Sequence, residues 1–205
     1  MSRNRRIALF FASLLFPLGA GAADLVFEFT GKVIFGGTLA PVDAPVTGTF
    51  SYDTRTTPWF ETEDTAFYLL PAPHYIDVNV AGRQAIGAGV NASVTNDAGG
   101  NVEDVVNLYS SGGAMLDGEF LPEGTVGVVF GSDPGSTGAV RTLRLPARYD
   151  LDRFDVQGGN GGYLMRDGGP DGFLLQFSIE SVVVRRICRE GSDASAPKPK
   201  DCVVR

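Results

Sequence analysis

The sequence predicts an all-β fold, a single antiparallel β-sandwich or jelly roll, and three observations carry that prediction. Nearly every apolar run alternates with period two, as strands with one buried face require. The chain's 27 glycines and 12 prolines cut these runs into short segments instead of forming a low-complexity block. No amphipathic helical pattern lies between them, which points to antiparallel pairing.

The chain opens on a segment that is not part of that fold. Arg3, Arg5 and Arg6 precede an apolar run over residues 7–18 and the small-residue stretch 19–23. A basic start, a short apolar core and small residues at the cut are the three parts of a secretory signal. The apolar run is too short to cross a bilayer core of about 30 Å. Residues 1–23 are therefore expected to be a signal peptide cleaved after Ala22 or Ala23, with a secreted or periplasmic mature chain that has no membrane span. The β domain is expected over 24–184, followed by a basic tail over 185–205.

The first strand follows at once. Leu25, Phe27, Phe29, Gly31, Val33 and Phe35 share one face, and Gly36-Gly37 ends the run. Val46, Gly48, Phe50 and Tyr52 alternate with Thr47, Thr49 and Ser51. Ile76, Val78 and Val80 alternate with Asp77 and Asn79 before a turn at Ala81-Gly82. Further strands are expected over 85–95, 102–110, 125–130, 140–145 and 163–166. The closing strand sets Phe173, Leu175, Phe177 and Ile179 against Leu174, Gln176, Ser178 and Glu180 and continues to Val184. The longest stretch without periodicity, 53–65, holds the only tryptophan.

The segment Val46-Thr47-Gly48-Thr49-Phe50-Ser51-Tyr52-Asp53-Thr54 resembles a stretch common in exported bacterial β-sandwich proteins of the PEP-CTERM-associated type. The opening Phe29-Thr30-Gly31-Lys32-Val33, the central Val94-Thr95-Asn96-Asp97-Ala98-Gly99-Gly100 and the closing 172–181 are similar too. The resemblance implies a β-sandwich and an exported location, and it supplies no catalytic residues. Proteins of that type usually end in a Pro-Glu-Pro signal, an apolar helix and an arginine cluster. Residues 188–205 lack the apolar span, so surface sorting is not implied.

Charge narrows the partners. The net charge is −7, and three arginines belong to the leader, so the mature chain is more acidic still. An acidic surface repels phosphate backbones, which argues against nucleic acid. The two cysteines, Cys188 and Cys202, both lie in the tail. In an oxidising compartment such a pair is expected to form a disulfide. Closing a loop of roughly 15 residues, it would contribute about 3 kcal/mol as a local staple.

Little in the sequence carries chemistry. His74 is the only histidine, and without a G-x-S-x-G elbow it reads as a surface or strand-edge residue and not as a triad base. One histidine and two bridged cysteines exclude a zinc site of the usual ligands. Calcium suits acid-rich turns, and Asp150, Asp152, Asp155, Asp167 and Asp171 are the candidate ligands. Turn preference alone also explains those residues. Trp59 and Phe60, with Tyr68 shortly after, form a candidate ligand platform for sugar rings or another partner surface. Burial of a folded-back loop would explain them equally well. The expected role is a non-enzymatic binding or structural module, with a glycan or extracellular matrix component as candidate partner. A carboxylate-dependent carbohydrate-active enzyme is the alternative, favoured if the five aspartates share one cleft.

Overall fold

The computed structural model describes residues 25–96, 103–132, 138–154, 160–167, 172–188 and 202–204, with 186–188 and 202–204 by their backbone alone. Twelve strands form one sheet. They are β1 (Leu25–Phe35), β2 (Pro45–Tyr52), β3 (Phe60–Glu61), β4 (Thr65–Val80), β5 (Arg83–Thr95) and β6 (Val105–Ser110). The chain continues through β7 (Ala114–Leu116), β8 (Glu119–Leu121), β9 (Thr125–Gly131), β10 (Gly161–Met165), β11 (Phe173–Cys188) and β12 (Cys202–Val204). Among the described residues there is no α-helix, only a 3₁₀ turn at Leu151–Arg153.

The expected sandwich or jelly roll is not what forms. β1, β2, β4, β5, β6, β9, β10 and β11 pair antiparallel in that order, and β11 returns to β1, closing an eight-stranded barrel. Each wall strand lies beside its neighbours along the chain, so the barrel is an up-and-down meander. Period-two alternation cannot distinguish the two architectures, because a sandwich strand and a barrel strand each bury one face. What distinguishes them is curvature. β4 and β5 are long, and their pairing jumps from Leu70↔Val90 to Tyr75↔Ala88. Residues 71–74, two of them prolines without an N–H to donate, therefore bulge opposite Gly89, which has φ +65°. Beyond this bend β4 gives Ile76–Val80 to β2, while β5 gives Val90–Thr95 to β6. The bent hairpin thus joins the two sides of the wall. A second irregularity at Thr30/Gly31 bends β1 against β11.

Aromatic side chains pack the interior. Phe27, Phe29, Phe50, Tyr52, Phe130 and Phe177 are all fully buried. Phe27 stacks on Phe50 at 4.8 Å and Phe29 on Phe177 at 5.7 Å, both nearly coplanar. An eight-stranded barrel has an interior that side chains just fill or that holds one small ligand; here aromatic rings fill it. Two inward glycines make the room. A Cβ on Gly48 would lie 2.3 Å from the Phe29 ring, and one on Gly162 would lie 2.3 Å from the Phe177 ring.

Three sequence expectations change. The 140–145 segment is not a strand, and His74 is buried on β4, not at the surface. β11 also runs past the expected domain boundary: Arg185 and Arg186 still pair with Val26 and Leu25. In parallel pairing β12 then sets Cys202 beside Arg186 and Val204 beside Cys188. The side chains of Cys188 and Cys202, and the leader 1–23, lie outside the described residues.

The close fit at Gly48 has a measurable consequence. Gly48→Ala should destabilise the barrel by about 2 kcal/mol through overpacking, seen as a lower denaturant midpoint. An unchanged midpoint would contradict the packing described.

Candidate functional site

The strand ends define two mouths. At one mouth β1 begins, β2 ends, β4 begins, β9 ends and β10 begins. Residues 138–154 cross this mouth and plug it. Val140, Leu145, Tyr149 and Phe154 of the plug are buried in the core. Tyr149 stacks on Phe130 at 4.0 Å and meets Phe27 and Phe50 edge-on at 5.3 and 5.7 Å.

Side chains of the barrel replace a strand partner for the plug's backbone. Asp104, fully buried, accepts hydrogen bonds from the backbone N–H of Val140 at 2.9 Å and of Gly138 at 3.1 Å. Ser132 fixes Asp104 in turn: its hydroxyl accepts from the Asp104 N–H at 3.0 Å, and its own N–H donates to the Asp104 carbonyl at 2.9 Å. Farther along, Tyr68 donates to the Leu143 carbonyl. Tyr52 donates to the Pro146 carbonyl at 2.6 Å and shares a hydrogen bond with the Tyr149 hydroxyl at 3.0 Å. These bonds span the gap left where β2 ends without a β4 partner.

Two adjoining cavities lie at the plug, one between it and the residues around 54–58 and one within its own outer side. The larger, a groove of about 870 Å³, runs between residues 54–58 on one side and 142–145 on the other, with Tyr68 and Glu61 also lining it. The smaller, about 310 Å³, is walled by the plug itself, including Arg141, Arg144, Arg148, Asp150 and Arg153. Thr142 and Arg144 line both. Arg55, on the groove's first wall, grips Asp53 through Nε and Nη2 at 2.9 and 2.7 Å. This hydrogen-bonded pairing holds the Asp53 carboxyl below its ordinary value.

Trp59 and Phe60 stand out on this rim. The Trp59 N–H donates to the Phe67 carbonyl at 3.0 Å, and β3 pairs Phe60 with Phe67. The aromatic pair is therefore carried on fixed backbone. Trp59 is 65% exposed and Phe60 49%. Their rings lie 6.0 Å apart, and Phe60 lies 5.9 Å from Phe67. Tyr68, the third expected platform residue, is instead a core residue, 2% exposed, because it points to the opposite face of β4.

Of the expected calcium ligands, the three described ones do not share one site. Asp150 and Asp152 are exposed on the plug, and Asp150 pairs with Arg153 at 3.1 Å. Asp167 is exposed at the opposite mouth, beyond the end of β10. Asp155 and Asp171 lie outside the described residues. Among the described residues no group of three metal-ligating side chains gathers. His74 lines neither cavity, and no described helix is long and apolar enough to cross a membrane.

Sequence reasoning missed the plug and its arginines. The signal was present: Arg141, Arg144, Arg148 and Arg153 fall close together in a chain of net charge −7. Comparison with known protein families, curated proteins and solved structures finds no match.

Burial raises the hydroxyls of Tyr149, Tyr68 and Tyr163 above the ordinary tyrosine value, though hydrogen bonding to Tyr52 pulls Tyr149 partly back. A group whose ionisation is suppressed by folding stabilises the protein fully below its unfolded value, about pH 10. That contribution declines as pH rises above 10. In an alkaline titration followed by phenolate absorbance, Tyr149 should ionise only as the barrel unfolds. Tyr149→Phe should flatten the loss of stability above pH 10. Normal titration of every tyrosine in an intact barrel would contradict the buried plug.

Proposed function

We propose that this chain is an exported, non-enzymatic glycan-binding module of the periplasm or cell exterior, binding at the plugged mouth of the barrel. One observation carries the reading: Trp59 and Phe60 present exposed rings on a backbone pinned to β4, beside an open groove. Sugar rings carry apolar faces that stack on such platforms, and a platform ordered in advance loses little entropy on binding. Aromatic rings pack the described interior, while the two cavities described here open at the rim, which favours recognition there. The basic, apolar and small-residue order of residues 1–23 supports export.

The alternative, a carbohydrate-active enzyme, needs two carboxylates flanking one bond, about 5–10 Å apart. Among the described residues Glu61 is the one acid lining the groove and Asp150 the one acid lining the smaller cavity. Neither cavity shows a pair of described carboxylates, which favours the module.

A glycan array on the mature protein, followed by tryptophan fluorescence titration of the hits, tests the reading. Trp59→Ala should weaken binding about tenfold or more while leaving thermal stability unchanged, since the ring is largely exposed. Retained affinity in Trp59→Ala would overturn the aromatic site, and depolymerisation of a bound glycan would favour the enzyme.

A further inference from the structure

The arginines of the plug form the one cavity-lining group of cations among the described residues that is mostly without ion pairs; Arg166, exposed at the opposite mouth, also makes no ion pair among them but stands alone. Lys32 sits against Glu180 at 2.8 Å, Arg55 against Asp53 at 2.7 Å, Arg83 against Asp117 at 2.7 Å and Arg185 against Glu28 at 3.4 Å. On the plug, Arg153 reaches Asp150 and the Gly138 carbonyl. Arg141, Arg144 and Arg148 make no ion pair among the described residues. All four guanidinium groups are exposed and line one cavity of about 310 Å³.

Gathering four arginines round one cavity with Asp150 as its one described acid costs energy through mutual repulsion, and water and salt only screen it. The plug does not need these charges to stay in place. Its anchors are the Asp104 carboxylate, the tyrosine hydroxyls and the buried apolar side chains. The arginines lie on the outer side of a segment already fixed from within.

We propose that this cluster, with the adjoining groove, binds an acidic oligosaccharide whose carboxylates pair with Arg141, Arg144 and Arg148 while a neighbouring sugar ring stacks on Trp59 or Phe60. This rests on the glycan-binding reading and names its substrate class. Guanidinium groups suit the task, since each presents a planar pair of donors matched to a carboxylate. The geometry also suits a chain-like ligand. Thr142 and Arg144 belong to both cavities, so the smaller one opens along the same path as the groove. Pro58 and Glu61, which flank Trp59 and Phe60 in sequence, line that groove. Glu61 and Asp150 are the acids on this path, and the acidic remainder of the protein confines a polyanion to it. A nucleic acid would need a longer basic track to match its evenly spaced phosphates.

Calorimetric titration of the mature protein with hexagalacturonate, cellohexaose and a dT12 oligonucleotide tests the inference. Hexagalacturonate should bind about tenfold or more tightly than cellohexaose, and raising salt from about 50 to about 300 mM should weaken it several-fold. The double variant Arg144→Ala/Arg148→Ala, and separately Arg148→Glu, should lose about tenfold or more of that affinity with an unchanged melting temperature. Arg83→Ala, at the opposite mouth, should bind as the parent does. Equal binding of the two hexasaccharides, abolished by Trp59→Ala, would overturn the acidic specificity and leave the glycan reading standing. Binding of dT12 alone would overturn both. Failure of both hexasaccharides to bind would overturn the inference as well.

Discussion

A single buried carboxylate fixes what this barrel can do. Asp104 sits between β5 and β6 at one mouth and takes the backbone N–H groups of Gly138 and Val140, giving an irregular segment the partners that a neighbouring strand would otherwise supply. A buried carboxylate is tolerated only when hydrogen-bonded, and buried backbone donors must be paired. Each therefore satisfies the other's need. With that end held, residues 138–154 cross the mouth and Tyr149 drops onto the Phe130 ring. Remove the anchor, and the plug's apolar side chains alone would have to hold a stretch with no regular backbone pairing.

Two surfaces follow from that placement. Inward, Tyr149 and Phe154 complete an aromatic core with Phe27, Phe50 and Phe130. Outward, residues 142–145 become one wall of the groove opposite 54–58, and the arginines 141, 144, 148 and 153 are brought round one pocket. Trp59 and Phe60 flank the same rim because β3 is fastened to the start of β4. The barrel wall alone would provide neither groove nor charge.

Much of this was legible in the residues. The inward faces of β1, β2 and β11 were readable from alternation because Phe27, Phe29, Phe50 and Phe177 recur at every second position with polar residues between. Closure was not, since it depends on where β4 bends, and the Pro71–Pro73 bulge reads locally as a turn. The first half of β4 was hidden by the same bend. Residues 140–145 read as a strand because Val140, Leu143 and Leu145 are apolar among polar neighbours. Val140 is held by an aspartate more than thirty residues earlier and Leu143 by Tyr68, contacts no local pattern encodes. Trp59 and Phe60 were found from residue type, whereas Tyr68 was misplaced because one step along a strand reverses the face. The five aspartates looked alike as turn residues, but β10 carries Asp167 to the mouth opposite Asp150.

The plug's anchor is the claim on which the rest turns, and native-state hydrogen exchange at Gly138 and Val140 tests it most directly. If Asp104 holds these amides, they should be protected nearly as well as the barrel amides of Val106 and Val128. In Asp104→Ala they should exchange much faster while those strand amides stay slow relative to them. Amides at 138 and 140 that exchange like open loop in the unaltered protein would contradict the account.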